Sequence, residues 1–303
     1  MEPVRGTIRT RADRLDVGWF GSFGLALIMG IAVGGLGWRV PDPSSTVGAA
    51  PPRTLFIVDG EPDDDLLEND IVVHMAPTAT ITAGVRWPSE LFVRSVVPSN
   101  DWRGSWSLRI QTPEGRPIGV GRYEHGNQPG IPGDTVMAVF TGGSWTCAVT
   151  SGALNIDALS VDDDGVVTEL AISIEHHCEA EFPAIYGEIR IDSAVPVSAI
   201  DIDEQALPFG VLALGGAAHD EVVTITNVGD GPQDLAARVT GIDADAFSIV
   251  GDTCSASDLA PGGACTLTIR FRPVRVGPAA ALVEVTDDTV PGVHTIRLVG
   301  STQ

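Results

Sequence analysis

Lysine is absent from this chain. All 18 basic residues are arginine, and 40 Asp and Glu bring the formal net charge to −22. Such a surface repels nucleic acid and anionic lipid, which makes both poor candidates as partners; it would hold divalent cations only loosely and keeps an exported protein soluble. Aromatics are also scarce, with 6 Trp and 2 Tyr, and residues 207–303 contain neither. Any aromatic platform for a ligand therefore falls before residue 207, on Trp87, Trp102, Trp145, Tyr123 or Tyr186. No Gly-x-Ser-x-Gly, His-Glu-x-x-His or P-loop occurs. The expectation is a chain without catalytic activity, with no catalytic residue, cofactor or metal site assigned. The opposing reading is a polar site formed by Glu175, His177 and Glu179 on one strand face.

Only 4 cysteines occur, Cys147, Cys178, Cys254 and Cys265. None shows the Cys-x-x-Cys spacing of a zinc site. Four cysteines allow three pairings. They fall two per candidate domain, so Cys147–Cys178 and Cys254–Cys265 is the economical choice, each worth about 3 kcal/mol in the chain-entropy model.

Long apolar runs are missing except for one. Val17–Trp38 holds 22 residues without a charge. As a helix rising about 1.5 Å per residue it just spans a hydrocarbon core of roughly 30 Å. Trp19 and Trp38 stand at its ends, where amphipathic rings favour the membrane interface, and Arg5, Arg9, Arg11 and Arg14 precede it. This charge bias keeps the N-terminus in the cytoplasm and exports the rest. A cleaved signal peptide shares the basic start and apolar core; Val47-Gly48-Ala49 would serve as its site, about ten residues past the run. The expected localisation is a single-pass cell-membrane protein with its C-terminal domains outside the cytoplasm, or a secreted one if the segment is cleaved. Gly30 and Gly34 make a GxxxG pair that would let two such helices pack closely.

The expected organisation is a cytoplasmic tail over 1–16, a transmembrane or signal-anchor helix over 17–38 and a linker over 39–53. A β-sandwich domain follows over 54–193, a connector over 194–206 and an immunoglobulin-like domain over 207–303. The fold class is all-β: two β-sandwich domains behind one N-terminal transmembrane helix. In the first domain LFIV (55–58) and IVVHM (71–75) are strand-forming runs flanking an acidic loop with Asp63, Asp64, Asp65, Glu68 and Asp70. That loop lacks EF-hand spacing and reads as solvated rather than calcium-binding. Trp106, Leu108 and Ile110 share one face by period two, which places Trp106 in the core. ALNIDALSV and VVTELAISIEHHC flank Asp162-Asp163-Asp164-Gly165, the pattern of a hairpin with a tight turn. On its second strand Leu170, Ile172, Ile174, His176 and Cys178 form the core face, with His176 read as a satisfied core histidine. Trp102, in SNDWRGSW, is the best exposed aromatic candidate; Trp102, Trp145, His177 and Glu179 are the candidate ligand-binding residues.

The run from Gly152 to Ser193 resembles the C-terminal half of an uncharacterised exported bacterial β module. That module has an acidic hairpin, a strand ending Gln-His-Cys-Glu-Gly and a final Gly-x-Ile-Arg strand. Here His177, Cys178 and Glu179 match, then Gly187, Ile189 and Arg190; His176 and Ala180 stand where the pattern has Gln and its second Gly. The resemblance brings no known activity.

In the second domain Thr226-Asn227-Val228-Gly229, Leu259-Ala260-Pro261-Gly262, Cys265-Thr266 and Phe271-Arg272-Pro273 form a motif string, with Phe209-Gly210, Phe247, Cys254 and Leu298-x-Gly300 around it. This string resembles the bacterial choice-of-anchor D module, a relative of the ASPM/SPD-2/Hydin (ASH) immunoglobulin-like domains. The resemblance implies a fold used for interaction or spacing. The function expected is a membrane-tethered extracytoplasmic bacterial interaction or scaffold protein, its partner an unknown envelope protein or polysaccharide. The alternative is a carbohydrate-binding envelope protein that uses the first domain's aromatics.

Overall fold

Alternation at period two builds almost every strand of this chain. In the computed structural model the described residues are 51–62, 64, 67, 70–98, 102–113, 116–126, 136–142, 145–146, 150–178, 183–256 and 258–303. The apolar run 17–38, its GxxxG pair and the linker lie outside them. Among the described residues no helix is long and apolar enough to cross a membrane.

The first eleven strands are β1 (Arg53–Gly60), β2 (Ile71–Met75), β3 (Thr80–Arg86), β4 (Glu90–Val96), β5 (Ser105–Gln111), β6 (Gly121–Gly126), β7 (Met137–Gly142), β8 (Trp145–Thr146), β9 (Thr150–Val161), β10 (Val167–Cys178) and β11 (Ala184–Ser193). They form a six-stranded sheet, β2-β1-β11-β10-β9-β6, facing a five-stranded sheet, β3-β4-β5-β7-β8. Inward residues of both sheets meet in one core: Phe56, Val58, Leu170, Ile172 and Ile189 from the first, Leu91, Val93, Trp106, Leu108 and Phe140 from the second. Trp106, Leu108 and Ile110 are buried as their spacing predicts. The hairpin turn between β9 and β10 is set by Asp162, whose Oδ1 accepts the Asp164 and Val166 N–H groups at 3.0 and 2.8 Å. Gly165 there has φ 82°, the left-handed conformation that glycine adopts without steric cost.

The remaining strands are β12 (Ile200–Ile202), β13 (Ala206–Leu212), β14 (His219–Asn227), β15 (Ala236–Thr240), β16 (Phe247–Asp252), β17 (Ala264–Phe271), β18 (Gly277–Thr286) and β19 (Val293–Thr302). Two four-stranded sheets, β12-β14-β17-β16 and β13-β19-β18-β15, enclose Phe209, Val223, Ile225, Leu267, Ile269 and Phe271. This is an immunoglobulin-like sandwich. Val223, Ile225 and Asn227 point inward while Val222 is exposed, as the alternation of β14 predicts. The Cys254–Cys265 disulfide is present and joins the segment after β16 to β17. Cys178 is also disulfide-bonded; Cys147 lies outside the described residues. The stretch 194–206, expected as a connector, supplies β12 as an edge strand and the first residue of β13.

The two sandwiches are fused along β1 and β2, and Gly48–Gln303 form one compact unit. Phe56 and Val58 point into the first core, while Leu55 and Ile57, on the opposite face of β1, join Ile71 in the core of the second sandwich. Burying each such side chain contributes about 1.5–3 kcal/mol, more than the about 0–1 kcal/mol of a partly exposed ion pair. The apolar face therefore dominates the junction. Polar contacts fix its register. Gln205 lays its amide along Ile71, accepting its N–H at 2.7 Å and donating to its carbonyl at 2.9 Å. Arg53 donates to the Val228 carbonyl at 2.8 Å and pairs with Asp230 at 3.1 Å.

Two acids of the loop between β1 and β2 depart from the solvated reading. Asp64 and Asp70 are both buried. Asp64 caps the loop by accepting the Leu67 N–H at 2.6 Å, and Leu67 itself is in the core. Asp70 pairs with Arg103 and lies 3.7 Å from Arg297. The loop folds inward because two arginines neutralise Asp70 and a backbone amide satisfies Asp64. Asp63, Asp65 and Glu68 lie outside the described residues.

Candidate functional site

The second sandwich covers only the β1–β2 side of the six-stranded sheet's outer face. The remainder, on β11, β10, β9 and β6, is polar because period two sends its apolar partners inward. A groove of about 290 Å³ lies there. Arg122, Asn155, Ser173, Glu175, Tyr186 and Glu188 form its floor, and Ser198, Asp288 and Val290 of the following segment and second sandwich wall it. The strand register puts Arg122 opposite Asn155, Asn155 opposite Ser173, and Ser173 opposite Glu188. These four form one row across the strands. Ala153, Glu175 and Tyr186 form the next row.

Hydrogen bonds hold these side chains in place. Ser173 donates to Glu188 at 2.8 Å, and Arg190 pairs with the same carboxylate at 2.8 Å. Burial pushes the Glu188 carboxyl up, against the lowering effect of Arg190 and Ser173. Tyr186 donates its phenol to Glu61 at 3.0 Å, and the other oxygen of Glu61 accepts the Ala184 N–H at 3.0 Å. Burial, then the Glu61 carboxylate, push the Tyr186 phenol up, so it stays protonated. Arg190 also donates to the carbonyls of Ile172, Val195 and Pro196 at 2.8–3.0 Å. It thereby pins the segment that carries Ser198, and gives the Gly-x-Ile-Arg strand a physical role.

Of the residues singled out beforehand, His177 hydrogen-bonds Glu175 at 3.0 Å and so braces a groove residue. Glu179 lies outside the described residues. Trp102 opens a short 3-10 turn and Trp145 begins β8, and their side chains lie outside the description as well. Tyr123 is half-buried and bonds the Gly119 carbonyl at 2.7 Å. Trp87 is exposed, 79% accessible on the β3–β4 turn with φ 54°. Tyr186 is the aromatic the groove uses; its place could be read from Glu175 and Tyr186 being paired once the order of β10 and β11 is known.

Three histidine clusters lie away from the groove. His176 is buried against His125, ring centroids 5.2 Å apart, and against Phe140. Neither of its ring nitrogens has a hydrogen-bond partner among the described residues, so it is a core histidine but not a satisfied one. Burial, then the neighbouring histidines, lower its pKa to about 3. His74 accepts from Ser95 at 2.7 Å and donates to the Arg103 carbonyl at 2.8 Å. Ser95 is fully buried, so this Ser–His pair is a core hydrogen bond. His294 lies 3.2 Å from Asp287 and 3.2 Å from Asp59 of the first sandwich. The Asp59 contact is an ion pair without hydrogen-bond geometry. Burial opposes charge on His294, but the two carboxylates outweigh it and raise its pKa to about 10. Among the described residues no group of three His, Cys, Asp or Glu is placed to hold a metal ion.

The fold and groove define an all-β protein of two fused sandwiches, the second immunoglobulin-like. No family model matches the chain, and no curated protein matches it. Among solved structures it is similar to the ASH/PapD-like domain of human CEP192 (PapD-like domain 7), at 19% identity over 34% of this chain and 84% of that one, TM-score 0.26. It is also similar to the Vibrio cholerae VesB protease, at 11% identity over 82% and 96% of the two chains, TM-score 0.28. A third is the secreted serine protease VesC from Vibrio cholerae, at 11% identity over 84% and 70%, TM-score 0.31. Two of these three are proteases, so the expectation of a chain without catalytic activity is withdrawn. Likeness this low assigns no reaction and no residue to this chain.

Proposed function

We propose that this chain is an extracytoplasmic binding protein, tethered to the bacterial membrane through residues 17–38, whose fused sandwiches present the groove to an envelope protein or polysaccharide. The observation that carries the reading is the groove itself. Its floor belongs to one sandwich and part of its wall to the other, and clefts between domains with a few convergent polar groups are where ligands bind. Arg190 and the junction contacts hold floor and wall in fixed relation, which lowers the ordering cost of binding. The uncharged run with its basic N-terminal flank supports the tether, and the motif string over 207–303 supports kinship with choice-of-anchor D modules.

The test is retention of the full-length protein on isolated bacterial envelope fractions. Ser173→Trp fills the groove from an outward-facing position. Retention by the native protein that Ser173→Trp abolishes is the expected result. Equal retention of both proteins would refute the groove as the binding site. Protease added to intact cells should digest residues 54–303; complete protection would refute the exported orientation.

A further inference from the structure

The row Arg122, Asn155, Ser173 and Glu188 runs from donors at one end to acceptors at the other across four neighbouring strands. Neighbouring strands lie about 4.8 Å apart, so the polar groups recur at that interval. Arg122 offers only donors, Asn155 offers both, and Glu188 and Ser173, whose one O–H already goes to Glu188, offer acceptors. A ligand that meets the whole row must itself donate and accept at successive positions, which is the property of a ring carrying vicinal hydroxyls. The adjoining row supplies the Tyr186 ring and, across Glu175, the Ala153 methyl. Tyr186 is preset by its bond to Glu61.

Charged ligands fit less well. The Glu188 charge is countered by Arg190, and both Arg190 and Ser173 bond its Oε2, so Oε1 still accepts a hydroxyl; Glu175 is bonded by His177. An ammonium group would therefore meet a countered carboxylate near the exposed Arg122 guanidinium, itself paired with Glu124. Anions meet a protein of net charge −22 with Glu175, Glu188 and Asp288 lining the same groove. At about 290 Å³ the space is at the lower edge of the roughly 300–1,000 Å³ of small-molecule clefts, room for about one or two sugar rings.

We infer that the groove binds a neutral sugar, its hydroxyls bonded by Arg122, Asn155, Ser173 and Glu188 and its C–H face packed on Tyr186. The inference rests on the groove being the ligand site proposed above. It moves carbohydrate recognition from Trp102 and Trp145 to a sheet face.

The test is calorimetric titration of the full-length chain with neutral trisaccharides (cellotriose, maltotriose and triacetylchitotriose), with oligolysine and inorganic phosphate as charged comparisons. Binding of at least one trisaccharide is expected, weakened at least tenfold by Asn155→Ala and by Arg122→Gln, with no heat from phosphate. Both positions are exposed, so the variants keep the fold, which their melting temperatures check. Binding of oligolysine that depends on Asn155, or trisaccharide binding that neither variant weakens, overturns the inference. Should no trisaccharide bind while Ser173→Trp still abolishes envelope retention, the sugar assignment fails and the groove reading survives. Should Ser173→Trp leave retention intact, the groove reading fails first.

Discussion

Two buried residues show how narrow the tolerances of the first core are. Gly187 on β11 lies under Phe140, and an added Cβ would sit 2.7 Å from the ring's Cζ and 2.8 Å from Ile174 Cγ2. Close approach of the two sheets therefore requires glycine here. Gly187→Val is expected to destabilise the protein by about 1–3 kcal/mol, the cost of overpacking, and urea unfolding would show it as a lower midpoint. An unchanged midpoint would mean the sheets can separate at this position. His176 presents the opposite case, a polar ring whose nitrogens are left unsatisfied among the described residues. Its folded pKa of about 3 is below the ordinary 6.5, so the unfolded chain takes up the proton first. The associated stability is present in full above pH 6.5 and is lost as pH falls toward 3. His176→Leu should stabilise the protein by about 1 kcal/mol at pH 7 and flatten the acid limb of its stability curve. The inward position of His176 was legible from period two. The missing partners were not, because what faces it, His125 and Phe140, comes from strands distant in sequence.

At the scale of elements, alternation identified strands well where one face meets solvent. The β9–β10 hairpin, the outward Ser173, Glu175 and His177, and the inward Leu267, Ile269 and Phe271 all follow from it. It gave less for β1, where Leu55, Phe56, Ile57 and Val58 are apolar in succession. Four such residues mean a strand covered on both sides, and here the second cover is the other sandwich. The groove was illegible for a related reason, since its four-residue row exists only once strand order and register are known. Arg190 ties that sheet to the segment leading into β12 through the carbonyls of Val195 and Pro196. Arg190→Leu would leave those carbonyls without their donor and Glu188 without its countercharge, with only the Ser173 bond remaining. A loss of about 3–5 kcal/mol is expected, as for breaking a buried charged pair, with faster proteolysis within 194–199. Proteolysis at the native rate would show that the segment is held by its apolar contacts alone. The Cys254–Cys265 link closes a short loop, so Cys254→Ser with Cys265→Ser should cost about 3 kcal/mol by chain entropy.

The whole molecule depends on whether its two sandwiches move as one body. Leu55, Ile57 and Ile71 supply the apolar contact, and His294, buried between Asp287 of its own sandwich and Asp59 of the other, supplies a titratable one. An imidazole facing two carboxylates is favoured as the cation. Burial pushes the Asp59 carboxyl up while His294 draws it back down, so removing the imidazolium charge would leave Asp59 and Asp287 in mutual repulsion. His294 has its folded pKa raised to about 10 from 6.5. Its contribution is therefore complete below pH 6.5 and declines as pH rises through 10. The junction should accordingly loosen on the alkaline side, whereas His176 weakens the first core on the acid side, leaving a stability maximum near neutral pH. Exchange of the Ile71 amide reports on the junction directly, because its N–H is bonded to Gln205 across it. In the native protein, Ile71 protection is expected to fall between pH 8 and 10 by more than the general base dependence of exchange. His294→Gln should lower protection already at pH 7 and abolish the extra alkaline loss. If the two proteins showed parallel profiles, the junction would be held by its apolar face and Gln205 alone. The groove would then keep its shape across that whole range, and ligand binding should be equally insensitive to alkaline pH.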